Sequence, residues 1–178
     1  MRMKKLWSWL TILMGLWCVP AFPQANSPPP FVMGNNRISN FVRKALAERS
    51  EEMAVAGEKM PADKYGFQAP PDNVTFGYLI IHIADGNYLF CSFIGGIAAP
   101  QLSQLSETDP KQSLLDRMKA SFDYCTGALA KLDDSRMSEV LSIGDTKMSR
   151  SMAILTLTGT WATHYDLQEK YLQLNDVH

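Results

Sequence analysis

Asp109-Pro110-Lys111-Gln112-Ser113-Leu114-Leu115-Asp116-Arg117-Met118-Lys119-Ala120-Ser121-Phe122-Asp123-Tyr124-Cys125 carries the pattern that decides the fold. Asp109 is a candidate N-cap, and Pro110 suits a first helical turn, where its missing N–H costs nothing. From there Leu115, Met118, Phe122, Cys125, Leu129 and Leu132 recur at alternating steps of three and four. That is one continuous apolar seam, the spacing of a helix in a bundle. Asp133-Asp134 is read as its end, a pair of ordinary solvated acids.

Upstream, a second helix is predicted with Asp72 or Asn73 as its cap and Gly95-Gly96 as its C-terminal stop. It is apolar around most of its circumference, so it is expected to be the most buried helix. Its inward stripe is read as Leu79, His82, Gly86, Leu89 and Phe93. A first helix is expected from the cap Ser39 to Gly57, with Phe41, Val42, Leu46 and Met53 facing in. Residues 58–71 between these helices hold too many breakers to be helical and are long enough to cross the end of a bundle. Ile97 to Asp109 forms a second long connection. Downstream, Val140 to Met148 places Gly144-Asp145 between two short apolar runs, a hairpin signal. A fourth helix follows from about Ser149 to Asn175. The fold class is therefore all-α, a four-helix bundle.

Depth along the helices gives the topology. Cys91 lies about 17 residues into helix 2 and Cys125 about 14 into helix 3; at about 1.5 Å per residue these depths match only if the two helices run parallel. His82 lies near the start of helix 2 and His164 near the end of helix 4, so that pair meets only if those helices are antiparallel. Both conditions together give up-down-down-up. Two readings of Cys91 and Cys125 stand: a disulfide, or two separate buried thiols.

The chain has 178 residues with 17 basic and 18 acidic side chains. Arg2, Lys4 and Lys5 precede the apolar run Leu6 to Val19, and Pro20-Ala21-Phe22-Pro23-Gln24-Ala25 follows, the pattern of a secretory signal peptide cleaved after Ala25. Residues 26–35 read as a proline-rich linker, and 36–178 as the domain. Removing residues 1–25 removes three basic and no acidic residues, leaving 17 − 3 = 14 basic against 18 acidic, a net charge of −4. No Lys/Arg block appears, so nucleic acid is not an expected partner. The apolar run is short and quickly broken for a membrane span, and no stable span is expected after cleavage. The expected location is periplasmic or extracellular. A small molecule or a second copy of the chain are the partners left open.

The chemistry centres on Thr158-Gly159-Thr160-Trp161-Ala162-Thr163-His164-Tyr165. His164 aligns with Trp161, Gln168 and Tyr171 on the inward side of helix 4, facing His82 of helix 2. Three nitrogen, sulfur or oxygen ligands and an open position make a catalytic metal site. His82 and His164 supply two. Thr160 sits where a helical partner of His164 belongs, and its neutral hydroxyl is a poor ligand. Asp85, one turn after His82, is the candidate third ligand; Asp166 points elsewhere, and His178 is the last residue. The alternative is that both histidines are hydrogen-bonded core residues. No Gly-x-Ser-x-Gly elbow, Cys-x-x-Cys pair or phosphate-binding glycine loop occurs.

The runs Met60-Pro61-Ala62-Asp63-Lys64-Tyr65-Gly66-Phe67, Thr75 to Ser92, Ser121-Phe122-Asp123-Tyr124-Cys125, His164-Tyr165 and Tyr171 to Asn175 together resemble the DinB/YfiT-like superfamily. The resemblance spans nearly all of residues 36–175. It implies a four-helix bundle holding a divalent metal, often zinc or nickel, on three histidines. One matches His82, and two lie four apart on helix 4, matching His164 and position 160. This chain departs from the pattern at Thr160, at Thr163, where a further histidine is common, and at Asp166, where a glycine is common. Characterised relatives include thiol-dependent transferases and hydrolases. The expected function is an exported bundle with an altered histidine site and no catalysis, binding a small molecule or partner. The alternative is a divalent-metal-dependent transferase or hydrolase using His82 and His164, with Tyr78 or Tyr165 as polar neighbours.

Overall fold

The computed structural model describes residues 35–70 and 74–177. The predicted signal peptide, all but the last residue of the linker, the cap candidates Asp72 and Asn73, and His178 lie outside the described residues. Four helices dominate: α1 (Arg37–Lys59), α2 (Phe76–Gly95), α3 (Lys111–Leu129) and α4 (Arg150–Leu174). The hairpin forms where the Gly144-Asp145 signal put it, as β3 (Val140–Ile143) paired antiparallel with β4 (Thr146–Ser149). Gly144 takes φ 58° at the first turn position, a conformation a residue without Cβ adopts at no steric cost. A smaller antiparallel pair, β1 (Gln68–Ala69) with β2 (Val74–Thr75), was not legible among the breakers of that connection.

Cross-helix contacts fix the topology. Asn87 bonds Ser121, and Cys91 is joined to Cys125 by a disulfide with Cα atoms 5.2 Å apart. Gly95 abuts Ala128, where any Cβ would collide with the Ala128 carbonyl. These pairs advance together, so α2 and α3 are parallel. His82 meets His164, Asn87 meets Trp161, and Ile94 meets Arg150, so α2 and α4 are antiparallel. Arg43 reaches the Leu129 carbonyl while Glu58 pairs with Lys119, so α1 and α3 are antiparallel. The bundle is up-down-down-up, with α1 diagonal to α2 and α3 diagonal to α4. The α3 seam is buried as expected; the helix stops at Leu129, and Leu132 packs from the turn beyond it.

The expected α1 stripe holds at Val42, Leu46 and Met53 but not at Phe41, and the expected α2 stripe is out of phase. Phe41 is 58% exposed, because the buried face of α1 runs through Ser39, Val42, Leu46, Met53 and Ala56. Phe41 precedes Val42 by one residue, about 100° around the helix, and cannot share its face. In α2 the buried face is Phe76, Ile80, Ile83, Asn87, Cys91 and Ile94, with Leu79, Ala84 and Tyr88 beside it. Leu89 and Phe93 are 45% and 37% exposed and His82 is exposed. An all-round apolar helix gives no periodic signal for its phase; the disulfide and the packing on α3 set it instead.

The caps also differ from expectation. Thr75 caps α2, its Oγ1 accepting from the Tyr78 N–H at 2.9 Å, and Ser149 caps α4 by accepting from Met152 N–H at 3.2 Å. Asp109 does not cap α3; its carboxylate accepts from the Ser106 N–H. Ser39 lies inside the first turn of α1, which starts at Arg37. The cap comes from another part of the chain. Asp134 accepts from the N–H groups of Ile38 and Ser39 at 3.0 and 2.9 Å and from the Ser39 hydroxyl. It is therefore a negative charge on the positive end of α1, not a merely solvated acid. At the same end of the bundle the buried Arg150 guanidinium donates to the Phe93 and Ile94 carbonyls that finish α2, and pairs with Glu139 at 2.8 Å. Glu139 is held at about 2 by hydrogen bonds from Arg136 first and Arg150 second.

Candidate functional site

α2 and α4 pack against each other antiparallel. The last charged residue of α2 is Asp85, and α4 has none between Arg150 and Asp166. Between them lies a cavity of about 330 Å³. Leu89, Phe90, Leu157 and Trp161 form its apolar walls, and His82, Asp85, Asn87, Thr160 and His164 its polar lining. The His82 and His164 rings face each other edge-on with centroids 5.1 Å apart. The exposed Tyr78 ring stacks on His82 at 5.7 Å. The structure thus brings together the two histidines that the sequence paired.

The floor of the cavity is a polar ladder missed by the sequence reading. Asn87, buried within α2, accepts from the Trp161 indole N–H at 2.6 Å and donates to the Ser121 hydroxyl at 2.9 Å. The Ser121 hydroxyl in turn donates to the Met118 carbonyl at 2.6 Å. The one amide side chain in a mainly apolar helix was the available signal, since a buried amide is normally paired. The ladder fixes the Trp161 ring, which also packs on Phe122 with centroids 6.2 Å apart.

His164 is half-buried, and its pKa falls to about 4, first because burial penalises the cation and then through His82. Its Nδ1 is buried with no hydrogen-bond partner. Thr160 donates its hydroxyl to the Thr156 carbonyl at 2.9 Å, an ordinary bond back along the helix. Asp85 lines the cavity, but among the described residues no three His, Cys, Asp or Glu side chains come close enough to hold an ion. Asp166 is exposed and lies outside the lining. Tyr165 turns toward α1, with the Arg49 guanidinium 5.2 Å above its ring. The donor set therefore stops at two imidazole nitrogens and a committed hydroxyl, which does not fit a centre built on three protein ligands.

A larger cavity of about 670 Å³ opens at the Asp134 end of the bundle. Asp134 there is spent on capping α1, whereas the α2–α4 cavity keeps groups free for a ligand. Among the described residues no helix is long and apolar enough to cross a membrane.

No protein-family model and no curated protein matches the sequence. Solved structures do match the fold. A DinB-like protein from Bacillus subtilis superposes with a TM-score of 0.64 at 14% identity, over 78% of this chain and 94% of that one. A DinB-like protein from Bacillus cereus gives 0.64 at 12% identity, over 78% and 93%. A conserved protein from Enterococcus faecalis gives 0.62 at 15%, over 76% and 95%. The superpositions extend over nearly the whole of those chains, and this chain has the DinB-like fold.

Proposed function

We propose that this chain is a divergent DinB-like protein, exported by residues 1–25, whose histidine site has become a binding pocket without metal catalysis. The observation that carries the reading is at position 160. A histidine there would complete a pair four apart with His164, and Thr160 instead turns its hydroxyl back to the Thr156 carbonyl. Two imidazoles and an exposed carboxylate make a weak divalent-metal site, while the apolar walls favour an organic ligand. The disulfide between Cys91 and Cys125 suits an oxidising compartment and so supports export.

A second reading rests on the unpartnered Nδ1 of His164. A buried polar atom without a partner is costly, and a divalent ion bound by His82 and His164 would relieve that cost if the ring turned toward it. The chain would then be a metal-dependent transferase or hydrolase. Elemental analysis after purification from zinc- and nickel-supplemented medium separates the two. A stoichiometric metal that disappears in His82→Ala overturns the first reading. Absence of metal, with thermal stability unchanged by added zinc or nickel, overturns the second. Thr160→His is expected to create measurable zinc or nickel affinity, since the scaffold already holds the other two rings 5.1 Å apart.

A further inference from the structure

We propose that the α2–α4 cavity selects small aromatic amines: flat apolar molecules carrying a single positive charge, with anions excluded. The proposal deepens the binding-pocket reading and rests on it. Volume comes first. About 330 Å³ lies at the small end of ligand sites and admits one or two fused rings, not a nucleotide or a peptide.

Polar satisfaction comes second. Asn87 and Trp161 use their groups on each other and on Ser121, and Thr160 donates to Thr156. What remains open toward a ligand is the Asp85 carboxylate and the two imidazoles. Charge comes third. The lining holds no lysine or arginine, and its single formal charge is Asp85, exposed and without an ion-pair partner among the described residues. Arg49, the cation beside this end of α4, is engaged on the α1 side with Tyr165 and with Glu52 at 2.8 Å. A carboxylate or phosphate ligand would thus enter an apolar slot beside a negative charge with no cation to meet it. An ammonium group finds Asp85, while its ring packs on Leu157, Phe90 and Trp161.

The test uses three molecules of one shape, 1-naphthylmethylamine, 1-naphthylmethanol and 1-naphthoate, titrated by calorimetry at pH 7.5 with the His82 and His164 ring resonances followed by NMR. The amine is expected to bind tightest and the acid to show no saturable binding. Asp85→Asn is expected to weaken the amine roughly fivefold, the scale of one partly exposed ion pair, and to leave the alcohol unchanged. Gly86→Phe should block all three, since Gly86 lines the cavity and a Cβ there meets nothing within 4 Å. Equal or tighter binding of the acid overturns the proposal, as does silence from all three, or an amine titration unaffected by Gly86→Phe. Elemental analysis of the same sample keeps the two ideas apart. A metal-free protein that ignores the amine sinks only the ligand class, whereas stoichiometric metal sinks the pocket reading beneath it.

Discussion

Asn87→Leu is expected to cost far more than its modest change in shape suggests. The side chain is 1% exposed and serves two partners, accepting from Trp161 and donating to Ser121. Leucine fills similar space but leaves the buried indole N–H unpaired, at about 1–3 kcal/mol. Ser121 keeps its bond to the Met118 carbonyl and loses only an incoming one, about 1 kcal/mol more. The sum is about 2–4 kcal/mol, or a fall in Tm of roughly 5–12 °C for a domain of this size. Urea unfolding with the disulfide intact, followed by far-UV circular dichroism, reads it as a lower midpoint at unchanged slope. Most of the loss falls on the orphaned indole, and removing that indole supplies an internal control. In a Trp161→Phe background the donor is already gone, and Asn87→Leu should then cost less than half as much. A single variant within about 0.5 kcal/mol of the parent, or strict additivity in the double variant, would refute the ladder as a stabilising element. The ladder matters for function because Asn87 and Trp161 both line the cavity.

Asp134→Ala removes the cap of α1 and is expected to cost about 1–2 kcal/mol, with amide exchange accelerating first at Ile38 and Ser39; protection unchanged at those two amides would contradict the assignment. For the disulfide, closing a 34-residue separation corresponds to about 4 kcal/mol of chain entropy, so reduction should lower the urea midpoint sharply. Two free thiols titrating in the unfolded chain without reductant would show that the bond does not form. His164 gives a pH signature. Its folded pKa lies near about 4, against an ordinary value near 6.5, so between those values the unfolded state binds more protons. Stability is full above pH 6.5 and falls as pH drops toward 4. The unscreened limit is about 3 kcal/mol, cut to about 1 by the ring's partial exposure. His164→Gln should flatten that part of the profile, and an identical slope in the variant would remove His164 as its source.

Much of the fold could be read one residue at a time. The α3 seam, the Gly96 stop at φ 69° and the Gly144-Asp145 turn are local signals, and each is where its residues put it. Matching Cys91 to Cys125 and His82 to His164 by depth was enough for the topology, because rise per residue is nearly constant in a helix. What failed was phase and capping. Phe41 is as apolar as its neighbour Val42, yet Val42 alone of the two lies on the buried face. Asp134 looked like a solvated acid because its partners, Ile38 and Ser39, lie more than ninety residues upstream. The β1–β2 pair was hidden because two-residue strands have no period to detect.

The candidate site divides in the same way. The sequence by itself determined four amphipathic or apolar helices, their order, and two histidines able to meet across α2 and α4. It also determined the lack of a third histidine at position 160, since identity at one position needs no coordinates. Only the tertiary structure decided that His82 sits at an exposed edge while His164 is half-buried, and that Asp85 lines their cavity without forming a three-ligand cluster with them. Only it turned Asn87 from a lone amide into the support of Trp161. The physical reason is that an apolar helix carries no record of its own rotation. Here the rotation of α2 is set by its contacts with α3, through the Asn87–Ser121 bond and the Cys91–Cys125 disulfide.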